Sequence, residues 1–178
     1  MTKVQLGDTV FEISPSIFIV LILVTLNRKK LGSFHMSIGR KDFLANVAYG
    51  LILGVVMGIA AYVFLDERVI VDKEISILSG FWSIFTGGII EEIVFRGFIL
   101  GYISLYNPLD FRGNLAQGFL FGIVHLGRYW NYYPGLIFVT GFGLLAGWLT
   151  QKYQSIVGAT VAHVLMNLVP FLLINVVY

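Results

Sequence analysis

The chain has 178 residues, of which 57% are hydrophobic and 12% charged, and its formal net charge is +2. Soluble domains average about 25% charged residues, so a water-soluble protein of this size could not bury so much apolar surface. The absence of cysteine excludes disulfides, thiolate metal sites and cysteine nucleophiles. The sequence has no basic patch interleaved with aromatic residues, so nucleic-acid binding is not indicated. We therefore expect an integral membrane protein that binds no nucleic acid.

Six apolar segments are long enough, or nearly so, to cross a bilayer, because a spanning helix needs about 20 mostly apolar residues. In chain order we predict helices at about residues 15–26 (beginning as early as residue 10), 43–65, 75–106, 115–126, 134–150 and 156–177. The fourth is short and is expected to be shielded by its neighbours, with Asn114 and Gln117 at the interface. The prediction is an all-α polytopic membrane protein with about six transmembrane helices, forming one domain over residues 1–178 with a motif-bearing core at about 75–177.

Two features of these segments constrain packing and orientation. Gly50, Gly54 and Gly58 follow one another at intervals of four residues in the second segment, which favours close helix packing. With the N-terminus outside, the cytoplasmic loops hold seven basic residues and the opposite side holds four, so the positive-inside rule favours this orientation. The seven are Arg28, Lys29, Lys30, Arg40, Lys41, Arg112 and Lys152, and the four are Lys3, Arg68, Lys73 and Arg128.

The third segment carries three charges inside an otherwise apolar stretch: Glu91, Glu92 and Arg96. A charge at the centre of a spanning helix costs roughly 2.5–3.5 kcal/mol on insertion scales, so these groups must be paired, hydrated or functional. Glu92 and Arg96 are four residues apart and are predicted to form an ion pair along the helix. Glu91 points about 100° away around the helix and is left free of the arginine.

Other polar side chains are predicted at a similar depth in the membrane. In the favoured orientation Glu91 lies ~18 Å, His125 ~15 Å and His163 ~11 Å from the cytoplasmic ends of their helices, at 1.5 Å per residue. Asn167 follows His163 by four residues and shares its helix face. A carboxylate near an imidazole can activate water, and a second imidazole with a carboxamide can stabilise an oxyanion. These groups would suit amide hydrolysis without a covalent intermediate, in a cavity opening toward the cytoplasm.

Three short motifs carry a resemblance to a known family. EEIVFR (91–96), FGIVH (121–125) and HVLMN (163–167) are similar, in this order, to the EExxxR, FxxxH and HxxxN motifs of the CAAX-protease and bacteriocin-processing family of intramembrane proteases, which includes the type II CAAX prenyl proteases. The resemblance covers about residues 81–170. It implies an all-helical membrane fold with the active site inside the bilayer.

The resemblance also implies roles for individual residues. Glu91 would activate the water and His125 would help to hold it. His163 and Asn167 would form the oxyanion hole, and the Glu92–Arg96 pair would support the site. The implied partners are the lipid bilayer and a membrane-associated or lipidated peptide or protein substrate, and the expected location is a prokaryotic cell membrane.

Some alternatives stay open at this point. Glu91, His125 and His163 could instead be ligands of a zinc ion, although no HExxH pair is present and we favour catalysis without a cofactor. The chain could also be a non-enzymatic bacteriocin self-immunity or scaffold protein with the same fold. A small proton-coupled transporter is a third hypothesis, because intramembrane carboxylates and histidines also build proton relays. That hypothesis is weakened by the lack of repeats related by inverted topology.

Overall fold

A computed structural model of the protein describes residues 42–65, 77–105 and 110–177, and the regular elements of this part are helical. In chain order they are α1 (Phe43–Phe64), α2 (Ile77–Glu92), a π-helix (Ile93–Leu100), α3 (Gly101–Ser104), α4 (Phe111–Val124), α5 (Leu126–Tyr129), α6 (Tyr133–Tyr153) and α7 (Val157–Val177). The predicted first spanning segment, residues 15–26, lies outside the described residues.

The length and composition of the helices confirm the all-α membrane class. Among the described residues, three helices are long and apolar enough to cross a membrane: Phe43–Phe64, Tyr133–Tyr153 and Val157–Asn175. The predicted fourth segment corresponds to α4, which begins four residues earlier than expected because Asp110 caps it; the Asp110 carboxylate accepts a hydrogen bond from the backbone N–H of Arg112 at 2.9 Å. With only 14 residues, α4 spans about 21 Å and is shorter than a bilayer core.

Helix α1 packs most extensively against α7, and the predicted glycine spacing forms this contact. A Cβ added at Gly50 would meet the backbone carbonyl of Gly158, and one added at Gly54 would lie 2.8 Å from the carbonyl oxygen of Ala162. A Cβ at Gly58 would lie 2.7 Å from Cβ of Val169. The close-packing prediction for these glycines is therefore confirmed.

Alanine at Gly50 is expected to lower the free energy of unfolding by about 1–3 kcal/mol, because the added methyl overlaps the backbone of α7 and forces the helices apart. Gly141 is the matched control, since a Cβ there meets no atom within 4 Å and alanine is the better helix former. Reversible unfolding in mixed micelles measures both variants. Equal effects of the two substitutions would contradict the close-packing account.

The predicted third segment is not one continuous α-helix. An eight-residue π-helix follows directly after Glu92, and six of its eight residues are buried. A π-helix hydrogen-bonds each N–H to the carbonyl five residues earlier, which widens the turn, and such turns occur frequently at functional sites. The π-helix therefore begins directly after Glu91 and Glu92 and includes Arg96.

The main apolar core lies around this π-helix and joins it to α4, α6 and α7. Its buried members are Val94, Phe95, Phe121, Val139, Phe142, Ala146, Ala159, Ala162 and Met166. The rings of Phe95 and Phe121 meet edge to face, with centroids 5.0 Å apart. Of the charged side chains of the third segment, Arg96 packs against two core residues, Phe121 and Phe142.

Candidate active site

The predicted ion pair between Glu92 and Arg96 is present and fully buried. Arg96 Nη1 donates to Glu92 Oε1 at 2.8 Å, and neither side chain is exposed. A buried pair of this kind is stabilising only when further hydrogen bonds and packing satisfy both partners. Each partner has additional contacts, while Glu92 Oε2 and Arg96 Nε have no hydrogen-bond partner among the described residues.

Arg96 is enclosed by aromatic rings and a backbone carbonyl. Its guanidinium carbon lies 4.3 Å from the ring centroid of Phe121 and 5.7 Å from that of Phe142, within the range of cation–π interaction. Its Nη2 donates to the carbonyl oxygen of Gly143 on α6 at 3.3 Å. Through these contacts Arg96, which lies on the π-helix, binds to α4 and α6 at the same time.

Glu92 has a second partner that the sequence did not indicate. His163 Nδ1 lies 2.8 Å from Glu92 Oε1, the same oxygen that accepts from Arg96. A carboxylate paired with arginine is an acceptor, so the imidazole donates from Nδ1. The ring of His163 also packs edge to face on Phe142, with centroids 5.1 Å apart. Glu92 therefore sets the orientation of a histidine on α7, and Nε2 of that histidine is directed to the other carboxylate.

Glu91 differs from Glu92 in exposure and in bonding. Its side chain is 29% exposed, whereas that of Glu92 is fully buried. Glu91 Oε2 lies 3.6 Å from His125 Nε2 and 3.9 Å from His163 Nε2, distances too long for direct hydrogen bonds, and it has no hydrogen-bond partner in the described part of the chain. Oε2 itself is buried and the rest of the Glu91 side chain is partly exposed, so of the two carboxylates Glu91 is the one that borders accessible space.

His125 is held at the end of α4 by its own helix. Its Nδ1 lies 2.7 Å from the carbonyl oxygen of Phe121, and because a carbonyl only accepts, Nδ1 is the donor. The ring also contacts the rings of Phe121, at 4.6 Å between centroids, and Tyr129, at 6.3 Å. In the neutral imidazole Nε2 is then an acceptor, and it faces Glu91.

Asn167 lies one turn beyond His163 on α7. Its side chain is half-buried and forms no hydrogen bond to another described residue. The structure therefore brings Glu91, His125 and His163 together, and it places Asn167 one turn from His163 on α7.

Two residues expected at the interface are buried instead. Asn114 is 2% exposed and Gln117 is fully buried, because the short helix α4 is enclosed by α6 and the π-helix along that face. Their amides bond to each other and to α6. Both side chains therefore lie inside the helix bundle, and their depth in the membrane stays a prediction.

The carboxylate oxygen of Glu91 lies farther from the two imidazole nitrogens than the ligand atoms of one zinc ion lie from each other. Ligand atoms about 2.0–2.2 Å from a tetrahedral zinc are roughly 3.3 Å apart. Here the carboxylate oxygen is 3.6 and 3.9 Å from the two imidazole nitrogens, and within the described ranges no group of three or more histidine and acidic side chains could hold a metal ion. No step proposed below uses a metal.

The fold and these side chains define a class: a helical membrane protein with an ionisable site of carboxylates and histidines between its helices. The model of the family described as type II CAAX prenyl endopeptidase Rce1-like matches residues 73–169, which is more than half of the chain. The chain belongs to this family, and the resemblance noted in the sequence is confirmed. No curated protein and no solved structure matches the chain.

Proposed function

We propose that this chain is an intramembrane endopeptidase that hydrolyses a peptide bond of a membrane-anchored or lipidated substrate with water activated by Glu91. The observation that carries the proposal is the division between the two carboxylates. Glu92 is buried and bonded to Arg96 and His163, whereas Glu91 is partly exposed, has no direct hydrogen bond to another described residue, and is faced by two imidazoles. Family membership supports the same class of reaction.

The chemistry of the facing atoms favours binding of a water molecule. Glu91 Oε2 and neutral His125 Nε2 are both acceptors, so they cannot bond to each other across their 3.6 Å separation. One water can donate a hydrogen to each of them. Its lone pairs then point away from the two side chains, toward an incoming carbonyl carbon, and Glu91 takes a proton as the oxygen attacks.

His163 and Asn167 are suited to the developing oxyanion. Since Nδ1 of His163 donates to Glu92, a donor at Nε2 requires the imidazolium form, whose charge is compensated by the carboxylates on either side. The carboxamide of Asn167 supplies a second donor from the same helix face. Preorganised donors of this kind stabilise the tetrahedral intermediate without reorganising during the reaction.

Glu91 also protonates the leaving group. The carboxyl group that receives the proton from water passes it to the nitrogen of the leaving amine as the carbon–nitrogen bond breaks. The immediate products are a carboxylic acid and an amine, and Glu91 returns to its ionised form. The new acid then passes its proton to the amine or to solvent and becomes a carboxylate. No covalent link between enzyme and substrate forms.

We further propose that the site opens toward the cytoplasm of a prokaryotic cell. Gln151 Nε2 donates to the carbonyl oxygen of Asp110 at 3.1 Å, so the start of α4 and the end of α6 lie side by side. The basic residues Arg112 and Lys152 are therefore at the same end of the bundle. That end would face the cytoplasm under the positive-inside rule.

Purified protein in vesicles, incubated with a panel of membrane-anchored and lipidated peptides, tests the proposal. We expect one internal peptide bond to be cut, detected by mass spectrometry, and the rate to be unchanged by a chelator. Loss of cleavage with chelator and recovery with zinc would favour the metal alternative. A folded protein that cuts no peptide would contradict the proposal and favour the self-immunity or scaffold hypothesis, and proton uptake by the vesicles would favour a transporter.

A further inference from the structure

A buried amide network lies behind the candidate site, on the far side of Arg96. Gln117 is fully buried on α4, and its Nε2 donates to Asn114 Oδ1 and to the carbonyl oxygen of Gly143, each at 2.8 Å. Asn114 Nδ2 donates in turn to the carbonyl oxygen of Leu144 at 2.9 Å. These bonds determine the amide orientations, because each carbonyl can only accept.

The two amides of the network lie directly against the backbone of α6 at Gly147. A Cβ added at Gly147 would overlap Asn114 Oδ1 and Gln117 Nε2, so the bare backbone of α6 is what lets these amides approach. Gln117 Oε1 nevertheless has no hydrogen-bond partner within the described residues. A buried acceptor left unsatisfied is destabilising, so packing alone would favour an apolar side chain at this position.

Gln117 and Arg96 share one acceptor. The Gly143 carbonyl oxygen receives Gln117 Nε2 at 2.8 Å and Arg96 Nη2 at 3.3 Å. Of these two hydrogen bonds to the Gly143 carbonyl, the one from Gln117 is the shorter. The strongest hydrogen bond of the arginine is therefore the one from Nη1 to Glu92 at 2.8 Å, and Glu92 in turn holds His163.

We propose that Gln117 is a positioning residue for catalysis. By occupying the Gly143 carbonyl it keeps Arg96 directed to Glu92, and Glu92 thereby keeps Nδ1 of His163 engaged and Nε2 directed to the reacting atoms. Without the glutamine amide, the existing bond from Arg96 Nη2 to the Gly143 carbonyl shortens and the bond from Arg96 Nη1 to Glu92 lengthens. The catalytic consequence rests on the proposed peptidase function, whereas the orientation of His163 does not.

The test compares Gln117→Met with Gln151→Met. Gln151 is the matched control because it is also a buried glutamine whose Nε2 donates to a backbone carbonyl, that of Asp110, whereas the carbonyl that Arg96 shares with Gln117 is that of Gly143. We expect Gln117→Met to lower kcat about 10-fold with KM unchanged. The size is taken from metal sites, where removing the group that orients a histidine typically costs about 10- to 100-fold in activity. The Gln151→Met variant should keep the wild-type kcat.

A spectroscopic measurement tests the orientation independently of activity. In protein labelled with nitrogen-15 at histidine, the Nδ1 resonance of His163, assigned with a His163→Gln variant, should shift in Gln117→Met and stay in place in Gln151→Met. Gln117→Glu is the second variant if the methionine protein does not fold. Its carboxylate attracts Arg96 away from Glu92, so it should produce the same shift and a larger loss of kcat.

The outcomes separate the two proposals. If wild type cleaves no peptide but the His163 resonance still shifts in Gln117→Met, the peptidase proposal fails and the positioning link holds. If wild type is active and Gln117→Met matches Gln151→Met in kcat and in the His163 resonance, the positioning proposal is overturned. A fall in kcat without a shift, or a shift without a fall in kcat, also overturns it.

Discussion

Glutamine in place of Glu91 is expected to lower kcat by about 10²- to 10⁴-fold, which is the contribution that a positioned general base makes. The amide has almost the same size as the carboxylate but cannot take a proton from water. Because Glu91 Oε2 has no hydrogen bond to another described residue, the substitution should leave the folded structure in place. Single-turnover cleavage of an anchored peptide measures the loss, and thermal unfolding measures the stability.

A shorter carboxylate is the control for this prediction. Glu91→Asp keeps the base but withdraws it by one methylene from His125 and His163, so we expect activity between those of wild type and Glu91→Gln. A Glu91→Gln protein that cleaves within a fewfold of wild type would show that another group activates the water. Loss of folding in Glu91→Gln would show that Glu91 is part of the structural core.

Replacement of Arg96 by methionine is expected to cost about 3–5 kcal/mol of folding stability, because it leaves Glu92 buried without its cation. His163 is then the remaining partner of the carboxylate, and its Nδ1 bond alone does not satisfy a buried charge. Activity should also be lost, since Glu92 no longer holds His163 in place. Equilibrium unfolding in mixed micelles measures the loss of stability.

The double variant Glu92→Gln with Arg96→Met provides the control for that prediction. Removing both charges should restore most of the stability lost in the single variant, because no uncompensated charge remains in the core. It should not restore activity, since a neutral amide orients His163 poorly. If Arg96→Met and the double variant are equally stable, the loss of stability in Arg96→Met does not come from the uncompensated charge of Glu92, and this account is contradicted.

Much of the fold could be predicted from the sequence because it follows from local patterns. Apolar length predicted α1, α6 and α7, and the spacing of Gly50, Gly54 and Gly58 predicted a close helix contact. The Glu92–Arg96 pair follows from helix periodicity alone, because residues four apart are neighbours on one face.

The remaining features depend on tertiary contacts that periodicity does not encode. The π-helix beginning at Ile93 has an ordinary apolar sequence, and the bond from His163 to Glu92 joins residues 71 positions apart. The burial of Gln117 follows from the way α6 and the π-helix enclose a short helix. The proximity of His125 and His163 to Glu91 could be inferred from depth in the membrane and from the family resemblance, and their catalytic roles stay predictions.

The most direct test of the central claim is a single turnover in water enriched in oxygen-18, followed by mass spectrometry of the peptide product and of the protein fragment that contains Glu91. If Glu91 activates water, one labelled oxygen enters the new carboxylate of the product and none enters Glu91. Label in the Glu91 side chain would reveal a covalent anhydride formed by direct attack of the carboxylate, and that result would contradict the account.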